Sequence, residues 1–461
     1  MAIRGFHGSL SGQVSFDEQR SVPNHFMGKG HRKTQFYTRG GSFMKRKSLS
    51  IMLVSIAMAF PLIFSESALA KEKFGIAFLG DLTGPVGFWN APRLVGIQDS
   101  IEYLNQTQNG IAGREVYLDW VDTQSKIDMA TSGYERLKAK GYPIWHTCGT
   151  GEQQMLKARY EDDRSQVLYT CSASPGVIYP PGYVFGTMSY YPDEFGAFVD
   201  WLVKNWDYKK MGRKPRIAIL TYPSGLGKVV LADEFLNYVK EKGAEIVETV
   251  FIPFVTVDAS TPLMKAKKAG ADWCIGMWMY QTIPPYLNEN YKQKLGLKFA
   301  IAQVEDTMIT LSNPQEAAIG LVGVSNWTMS WENTEGMKII RETWAKKNRR
   351  PEDRGASYIL GWMNMWMTKM VVEETLKRVG SWDKMTPVEL RKTTEGWGKL
   401  DIKGLGRLDY GKSQRGSGEV RIIEVRKVKV DGKDVIRWEY ATDWVKAPFL
   451  VPKKWQAALA Y

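Results

Sequence analysis

Histidine and cysteine are scarce in this sequence. Its 461 residues include 4 His and 3 Cys, and beyond residue 70 the only histidine is His146. Neither the Cys-x-x-Cys nor the His-Glu-x-x-His spacing, both typical of metal sites, occurs. We therefore expect no metal site and no cofactor. Hydrophobic residues at 44% and charged residues at 24% are ordinary for a globular protein and exclude a disordered, collagenous or disulfide-stapled chain.

The excess of basic charge is small. The sequence carries 62 Lys and Arg against 49 Asp and Glu, a net charge of +13. Nine of the basic residues and three of the acidic ones fall in the first 70 positions, which leaves 53 basic and 46 acidic side chains in residues 71–461. A dispersed excess of this size is not the basic footprint of a nucleic-acid-binding protein. We expect no nucleic-acid partner.

Only one apolar run is long enough to weigh as a membrane segment. It covers residues 49–64, shorter than the roughly 20 residues that a spanning helix needs. Basic residues precede it at 45–47, and Ser67-Ala68-Leu69-Ala70 follows it. A basic start, an apolar centre and a small-x-small exit are typical of a secretory signal peptide, whereas a core helix has no reason to combine them. We predict a signal peptide at 44–70, cleaved after Ala70, and a periplasmic product.

The 43 residues before Met44 are polar and show neither helical nor strand periodicity. A signal peptide normally opens a translated chain. We therefore predict that translation starts at Met44 and that residues 1–43 are an untranslated or disordered extension.

From residue 74 onward, short apolar runs alternate with helical patterns, which is typical of βαβ units and a parallel sheet. Leu94, Ile97, Ile101 and Leu104 fall on one face of the first helix. Strands are predicted at 74–79, 116–121, 142–146 and 166–170, and a second series at 216–221, 245–252, 272–278 and 297–302. Helices are predicted between them, including 227–242, and again at 336–348 and 355–379. Two further strands flank the hairpin signal Asp431-Gly432.

Loops rich in Gly and small hydroxyl residues follow three of the predicted strands. They lie at 80–85, 148–151 and 171–175. In open α/β sheets ligands bind outside the carboxyl ends of the strands, and backbone N–H groups exposed at helix starts suit a carboxylate or another anion. Each loop alone fits an ordinary turn or N-cap. Three on one sheet edge predict a binding site.

In their order and spacing these segments resemble the type I periplasmic solute-binding proteins of the branched-chain amino acid class, which feed ABC importers. The resemblance runs from residue 74 to about residue 430. It rests on the segments 82–85, 110–114, 122–125, 172–175, 183–185 and 404–410. The resemblance implies a monomer that binds a small-molecule ligand and delivers it to membrane permease subunits of an importer.

The resemblance also implies an α/β fold of two Rossmann-like doubly wound lobes joined by three hinge crossings. The crossings are expected near residues 187–191, 325–331 and 381–386. Lobe 1 is then 71–188 with 329–382, and lobe 2 is 189–328 with 383–461.

The resemblance assigns polar ligand contacts residue by residue. Thr150 and Gly151 match the pair that holds the ligand carboxylate, and Ala173 with Ser174 match the small-hydroxyl loop beside it. Glu305 matches the carboxylate that binds the ligand ammonium in amino-acid-binding members, since a desolvated cation needs an opposite charge. A helix-start carboxylate is the alternative for Glu305.

Aromatic residues stand at the other matched positions. Trp89 and Trp278 occur where the family commonly has Tyr, and Tyr280 follows closely. Tyr222 stands near the Gly-flanked motif at 224–227, which lacks the Tyr that often precedes its first Gly. Aromatic walls favour flat or bulky ligands. The sequence therefore leaves the ligand open between an amino acid or related compound and an aromatic acid.

Two alternatives to a transport receptor deserve comparison. A dehydrogenase needs Gly-x-Gly-x-x-Gly after its first strand, and this sequence has Gly80-Asp-Leu-Thr-Gly84 instead. No nucleophile–base pair stands out either, so we expect no enzyme activity. A ligand-sensing module of a signalling system would use the same fold and remains the alternative.

The cysteines leave one question open. Cys148 and Cys171 follow strands expected to be neighbours, and an exported protein meets an oxidising compartment. Neighbouring strand ends need not supply the Cα separation of roughly 5.5 Å that a disulfide requires. Cys274, inside an apolar strand, is expected to be a buried small hydrophobic residue.

Overall fold

The computed structural model describes residues 72–279, 281–302, 315–350 and 353–456. The predicted extension at 1–43, the predicted signal peptide at 44–70, Tyr280 and Glu305 lie outside these ranges. Among the helices in these ranges, none combines the length and the apolar character needed to cross a membrane.

The first half of the chain builds a five-stranded parallel sheet in the order β2-β1-β3-β4-β5. Its elements in chain order are β1 (Lys73–Gly80), α1 (Gly87–Thr107), β2 (Glu115–Asp122), α2 (Ile127–Lys138), β3 (Ile144–Cys148), α3 (Thr150–Asp163), β4 (Val167–Thr170) and β5 (Val184–Gly186). Every residue of β3, β4 and β5 is buried, as expected for parallel strands covered by helices on both faces. The predicted face of α1 is buried as well.

The second series of elements begins with two helices and continues with the strands of a second sheet and the helices between them. In chain order these elements are α4 (Tyr191–Lys204), α5 (Tyr208–Met211), β6 (Arg216–Thr221), α6 (Asp233–Lys242), β7 (Glu245–Phe251), α7 (Ser260–Lys268), β8 (Trp273–Gly276), α8 (Ile283–Gln293), β9 (Lys298–Ile301) and β10 (Val322–Ser325). All eight strands predicted before residue 303 are confirmed. The helix predicted at 227–242 is wrong in its first part: a 3₁₀ turn (Gly227–Leu231) precedes α6, because Ala232 between them is extended, with ψ at 135°.

The rest of the chain supplies further helices, the remaining strands of the second sheet and a small third sheet. Its elements are α9 (Glu335–Lys347), α10 (Ala356–Val379), α11 (Pro387–Glu395), β11 (Gly398–Asp401), β12 (Arg407–Tyr410), β13 (Arg415–Gly416), β14 (Glu419–Val430), β15 (Lys433–Tyr440), β16 (Val445–Lys446) and α12 (Lys453–Gln456). The second sheet has the order β15-β14-β10-β9-β8-β6-β7, with β16 paired to β14, and β11 to β13 form a small third sheet. The β14–β15 hairpin is confirmed: Asp431 and Gly432 both have positive φ, 49° and 78°, as a type I′ turn requires.

Helix α11 packs with the first sheet. The Tyr169 hydroxyl of β4 hydrogen bonds the Thr394 hydroxyl at 2.7 Å, and Thr375 of α10 donates to Thr393 at 2.8 Å. After α11, the first strand that joins the second sheet is β14, which pairs with β10. The predicted hinge at 381–386 is thus followed by more residues on the first sheet, and we infer that the third crossing lies between residues 396 and 419.

The crossing segments bond to each other through Asn326. Its side-chain carbonyl accepts from the backbone N–H of Ser189 at 3.3 Å, and its amide donates to the carbonyl of Arg407 at 3.1 Å. The backbone N–H of Arg407 also donates to the Asn326 carbonyl at 3.0 Å. One buried asparagine therefore ties together three segments that connect the sheets.

Candidate ligand-binding cavity

A cavity of about 310 Å³ lies between the loops at the carboxyl ends of the two sheets. It is lined by residues 86, 89, 90, 125, 127, 148–152, 171 and 172 from the first sheet, by 224–226, 254 and 279 from the second, and by Tyr191 at the crossing. This is the position where open α/β sheets bind ligands. Of the nine residues predicted to touch a ligand, Trp89, Thr150 and Gly151 line it.

The amino terminus of α3 forms one wall of the cavity. β3 ends at Cys148, and the first intrahelical hydrogen bond of α3 runs from Gln153 to the Gly149 carbonyl at 3.0 Å. The backbone N–H groups of residues 150–152 precede this bond and carry the positive end of the helix dipole. Ser172, from the loop after β4, accepts a hydrogen bond from the Gly149 N–H at 3.0 Å. A helix start of this kind suits a carboxylate.

Two carboxylates hold the loop that precedes α1. Asp81 accepts hydrogen bonds from the Val86 N–H at 3.0 Å and the Ser125 hydroxyl at 2.5 Å. Asp122 accepts from the Thr83 hydroxyl at 2.5 Å. Burial raises the pKa of Asp122, but the hydrogen bonds from Thr83 and from backbone N–H groups outweigh burial and hold the pKa below its usual value. These bonds fix the chain just before the cavity residues of α1.

Aromatic side chains form another part of the cavity lining. Trp89 is buried at the start of α1, and Phe254 comes from the loop after β7. The Tyr191 hydroxyl donates to the Cys171 carbonyl at 2.9 Å, which keeps its ring beside the cavity. With Leu226 and Met279, these rings give the cavity lining a large apolar part.

Tyr222 and Trp278 lie behind the lining rather than on it. The Tyr222 hydroxyl accepts a hydrogen bond from the Met279 N–H at 3.1 Å, and its ring packs on Phe254 with centroids 5.0 Å apart. The indole of Trp278 donates to the Leu220 carbonyl and stacks on the Tyr286 ring at 6.3 Å. Both support loops that line the cavity.

The loop after β4 contributes Cys171 and Ser172 to the lining, while Ala173 and Ser174 are buried beside it. The Ala173 carbonyl accepts from the Tyr191 N–H at 3.1 Å. Because Tyr280 and Glu305 lie outside the described residues, their ligand contacts stay predictions.

Among the polar lining residues that sequence reasoning missed, Asn90 and Glu152 are the two with buried side-chain atoms that lack a hydrogen-bond partner among the described residues. Asn90 is 0% exposed, and neither atom of its side-chain amide has a hydrogen-bond partner among the described residues. Glu152 is 4% exposed, and its Oε2 likewise lacks a partner there. The sequence did carry a signal for both residues, because each directly follows a predicted ligand contact: Asn90 follows Trp89, and Glu152 follows Gly151.

Cys148 and Cys171 form a disulfide, with Cα atoms 5.1 Å apart. The bond joins the carboxyl ends of β3 and β4 where both line the cavity, which answers the question that the sequence left open. Cys274 is a buried free thiol whose pKa is raised by burial. His146 hydrogen bonds the Thr368 hydroxyl at 2.9 Å, and burial, with the charge of Arg93, lowers its pKa to about 3. In the part of the chain that the structure describes, no cluster of side chains has the composition of a metal site.

Replacing both Cys148 and Cys171 with serine is expected to lower the free energy of unfolding by about 3 kcal/mol, because the bond closes a loop with a sequence separation of 23. Chemical denaturation of both forms measures the loss, with Cys274→Ala as the control that keeps the disulfide. Thiol titration of the denatured, unreduced protein should find one thiol, and three would contradict the pairing.

The comparisons with known proteins agree with this architecture. The family described as "Periplasmic binding protein" matches residues 73–432. The chain belongs to the periplasmic binding protein family. This confirms the fold class and the resemblance, and membership means an extracytoplasmic solute-binding receptor rather than an enzyme. The Ala70 cleavage site stays a prediction.

Solved structures of this family have the same fold. A branched-chain amino acid ABC transporter protein from Thermus thermophilus with bound valine is 18% identical, with a TM-score of 0.71, and covers 82% of this chain and 98% of its own. A solute-binding protein from Rhodopseudomonas palustris BisB5 with 3,4-dihydroxybenzoic acid is 19% identical, with a TM-score of 0.64 and coverages of 83% and 99%. One from Rhodopseudomonas palustris HaA2 with p-hydroxybenzoic acid is 17% identical, with a TM-score of 0.66 and coverages of 82% and 98%. No curated protein matches with significance.

Proposed function

We propose that this periplasmic binding protein is the solute receptor of an ABC importer and that its ligand is a small organic acid with a flat, ring-bearing body. The observation that carries the proposal is the composition of the cavity lining, which combines the start of α3 with the aromatic side chains of Trp89, Tyr191 and Phe254. The ligand carboxylate binds the N–H groups of Thr150 and Gly151. The ring packs among the aromatic side chains.

The volume of the cavity indicates a small ligand, and the uncharged lining from the second sheet favours an acid over a zwitterion. Its volume of about 310 Å³ is at the low end of the roughly 300–1,000 Å³ typical of ligand pockets. The described lining from the second sheet, residues 224–226, 254 and 279, has no charged side chain to pair with an ammonium group, and the one carboxyl side chain of the described lining, Glu152, lies at the start of α3 where the ligand carboxylate is proposed to bind. Of the three solved structures described above, two hold hydroxybenzoic acids and one holds valine.

Hinge closure completes the proposed cycle. In the proposed cycle the two lobes close over the ligand. Their predicted bounds are 71–188 with 329–382 and 189–328 with 383–461, and the third crossing that we infer moves the last boundary to between residues 396 and 419. The closed form is then the one that membrane permease subunits of the importer bind.

A thermal-shift screen tests the ligand class. The purified protein is heated with 4-hydroxybenzoate, 3,4-dihydroxybenzoate, benzamide, valine or leucine. A ligand at about 100 times its dissociation constant adds roughly 2.7 kcal/mol of stability, which raises the melting temperature measurably. We expect the hydroxybenzoates to stabilise the protein more than valine or leucine. Stabilisation by the amino acids alone would make the ligand a zwitterion and return attention to Glu305.

A further inference from the structure

Glu152 places a carboxyl group at the wall where the ligand carboxylate is proposed to bind. It is in the first turn of α3, lines the cavity and is 4% exposed. Its Oε1 accepts a hydrogen bond from the Thr123 hydroxyl at 2.6 Å, and its Oε2 has no partner among the described residues. Gly149, with φ at 136°, leaves room for this group, since a Cβ there would lie 2.6 Å from Oε2.

Burial and two neighbouring carboxylates oppose a negative charge on Glu152, whereas the start of α3 favours one. Burial, together with the charges of Asp81 and Asp122, raises its pKa to about 7, although the Thr123 hydrogen bond acts in the other direction. Asp81 and Asp122 are themselves held by the hydrogen bonds that shape the loop before α1. Tyr160, further along α3, directs its hydroxyl to Gln153.

No described cation offsets this effect at Glu152. Lys126, at the start of α2, donates to the Gln124 side chain at 3.0 Å. His146 on β3 is neutral above about pH 3 because its pKa is lowered by burial and by Arg93. The described lining from the second sheet is uncharged.

We propose that Glu152 presents a protonated carboxyl group that donates a hydrogen bond to the ligand carboxylate, so that binding is coupled to one proton. An ionised Glu152 would repel the ligand carboxylate. The protonated carboxyl group instead donates a hydrogen bond to that carboxylate, in addition to those from the N–H groups of α3. When Glu152 is ionised in the free protein, the proton that it needs on binding comes from solvent. The inference rests on the proposed function, because it requires a ligand that carries a carboxylate.

The affinity for 4-hydroxybenzoate is expected to fall about tenfold between pH 6 and pH 8, since about one proton must be taken up above the free-protein pKa near 7. Isothermal titration calorimetry at pH 6, 7 and 8 measures the affinity. Repeating the titration at pH 8 in buffers of different ionisation enthalpy measures the proton uptake, expected to approach one.

Glu152→Gln separates a donor role from a structural one. The amide keeps a hydrogen-bond donor but cannot titrate, so its affinity should change less than threefold from pH 6 to pH 8 and its proton uptake should vanish. Asp162→Asn, which removes an exposed carboxylate from the same helix, should behave like the wild type. Glu152→Ala lacks the donor and should bind weakly at every pH.

The outcomes distinguish the inference from the function on which it rests. Binding of 4-hydroxybenzoate with equal affinity at all three pH values, or with affinity that rises with pH, overturns the proton coupling and leaves the proposed function standing. Failure of both 4-hydroxybenzoate and 3,4-dihydroxybenzoate to bind at any of the pH values overturns the proposed function, and the inference with it.

Discussion

Replacing Glu332 with alanine is expected to lower the free energy of unfolding by about 3–5 kcal/mol, the usual cost of leaving a buried charge unpaired. Glu332 binds both terminal nitrogens of Arg421 at 2.9 and 3.0 Å and accepts hydrogen bonds from Thr328 and Tyr440. Arg421 is buried on β14 and also donates to the Trp327 carbonyl at 3.1 Å. The cluster joins the 325–331 crossing to the second sheet.

Denaturant titrations of the wild type and Glu332→Ala measure the loss, and Glu332→Gln provides a variant that keeps the shape if the alanine protein does not fold. The control is Asp434→Asn, which breaks an exposed pair with Lys429 at 3.2 Å and should cost less than about 0.5 kcal/mol. A Glu332→Ala protein as stable as this control would contradict the prediction.

The same cluster predicts how stability changes in acid. Burial raises the pKa of Glu332, but the hydrogen bonds and charge of Arg421 outweigh burial and hold it below the usual value. The folded state therefore binds its proton less readily than the unfolded state does. The contribution of Glu332 is fully present above the unfolded-state pKa and is lost as the pH falls through the folded-state pKa.

Replacing Trp89 with leucine is expected to weaken the binding of 4-hydroxybenzoate by about 10- to 100-fold, or about 1.4–2.7 kcal/mol, because the ring loses its largest aromatic partner. Trp89 lines the cavity at the start of α1. Calorimetric titration at pH 6 measures the change under conditions in which Glu152 is mostly protonated.

Trp438→Leu is the matched control for Trp89→Leu. Trp438 is a buried indole on β15, at the edge of the second sheet, and does not line the cavity. Its replacement should lower stability while changing the affinity less than threefold. Equal losses of affinity in the two variants would show that Trp89 acts through folding rather than through contact with the ligand.

Strand positions followed from the sequence because buried parallel strands read as continuous apolar runs. β6 spans Arg216–Thr221, the range that its apolar run predicts. The start of the helix predicted at 227–242 could not be placed in the same way, since nothing in the periodicity shows that Ala232 is extended. The third crossing that we infer, between residues 396 and 419, could not be placed from the sequence either, because the packing of α11 on β4 depends on contacts between residues more than 200 positions apart, such as Tyr169 with Thr394.

The candidate site was predictable where a loop motif carried it. Thr150 and Gly151 lie on the cavity because the loop after β3 leads directly into α3. Trp278 follows a strand in the same manner, yet the backbone turns after Gly276 and directs the indole back to the Leu220 carbonyl. Glu152 was missed because a carboxylate in the first turn of a helix is ordinary in sequence. Only the fold brings Asp81 and Asp122 close enough to Glu152 to raise the pKa of its carboxyl group.

A crystal structure of the protein with 4-hydroxybenzoate tests the central claim most directly. The account predicts the ligand carboxylate within hydrogen-bond distance of the N–H groups of Thr150 and Gly151 and of the Glu152 carboxyl, with its ring beside Trp89 and Phe254. A ligand bound in the reverse orientation, with its carboxylate among the aromatic side chains, or bound outside this cavity would contradict the account.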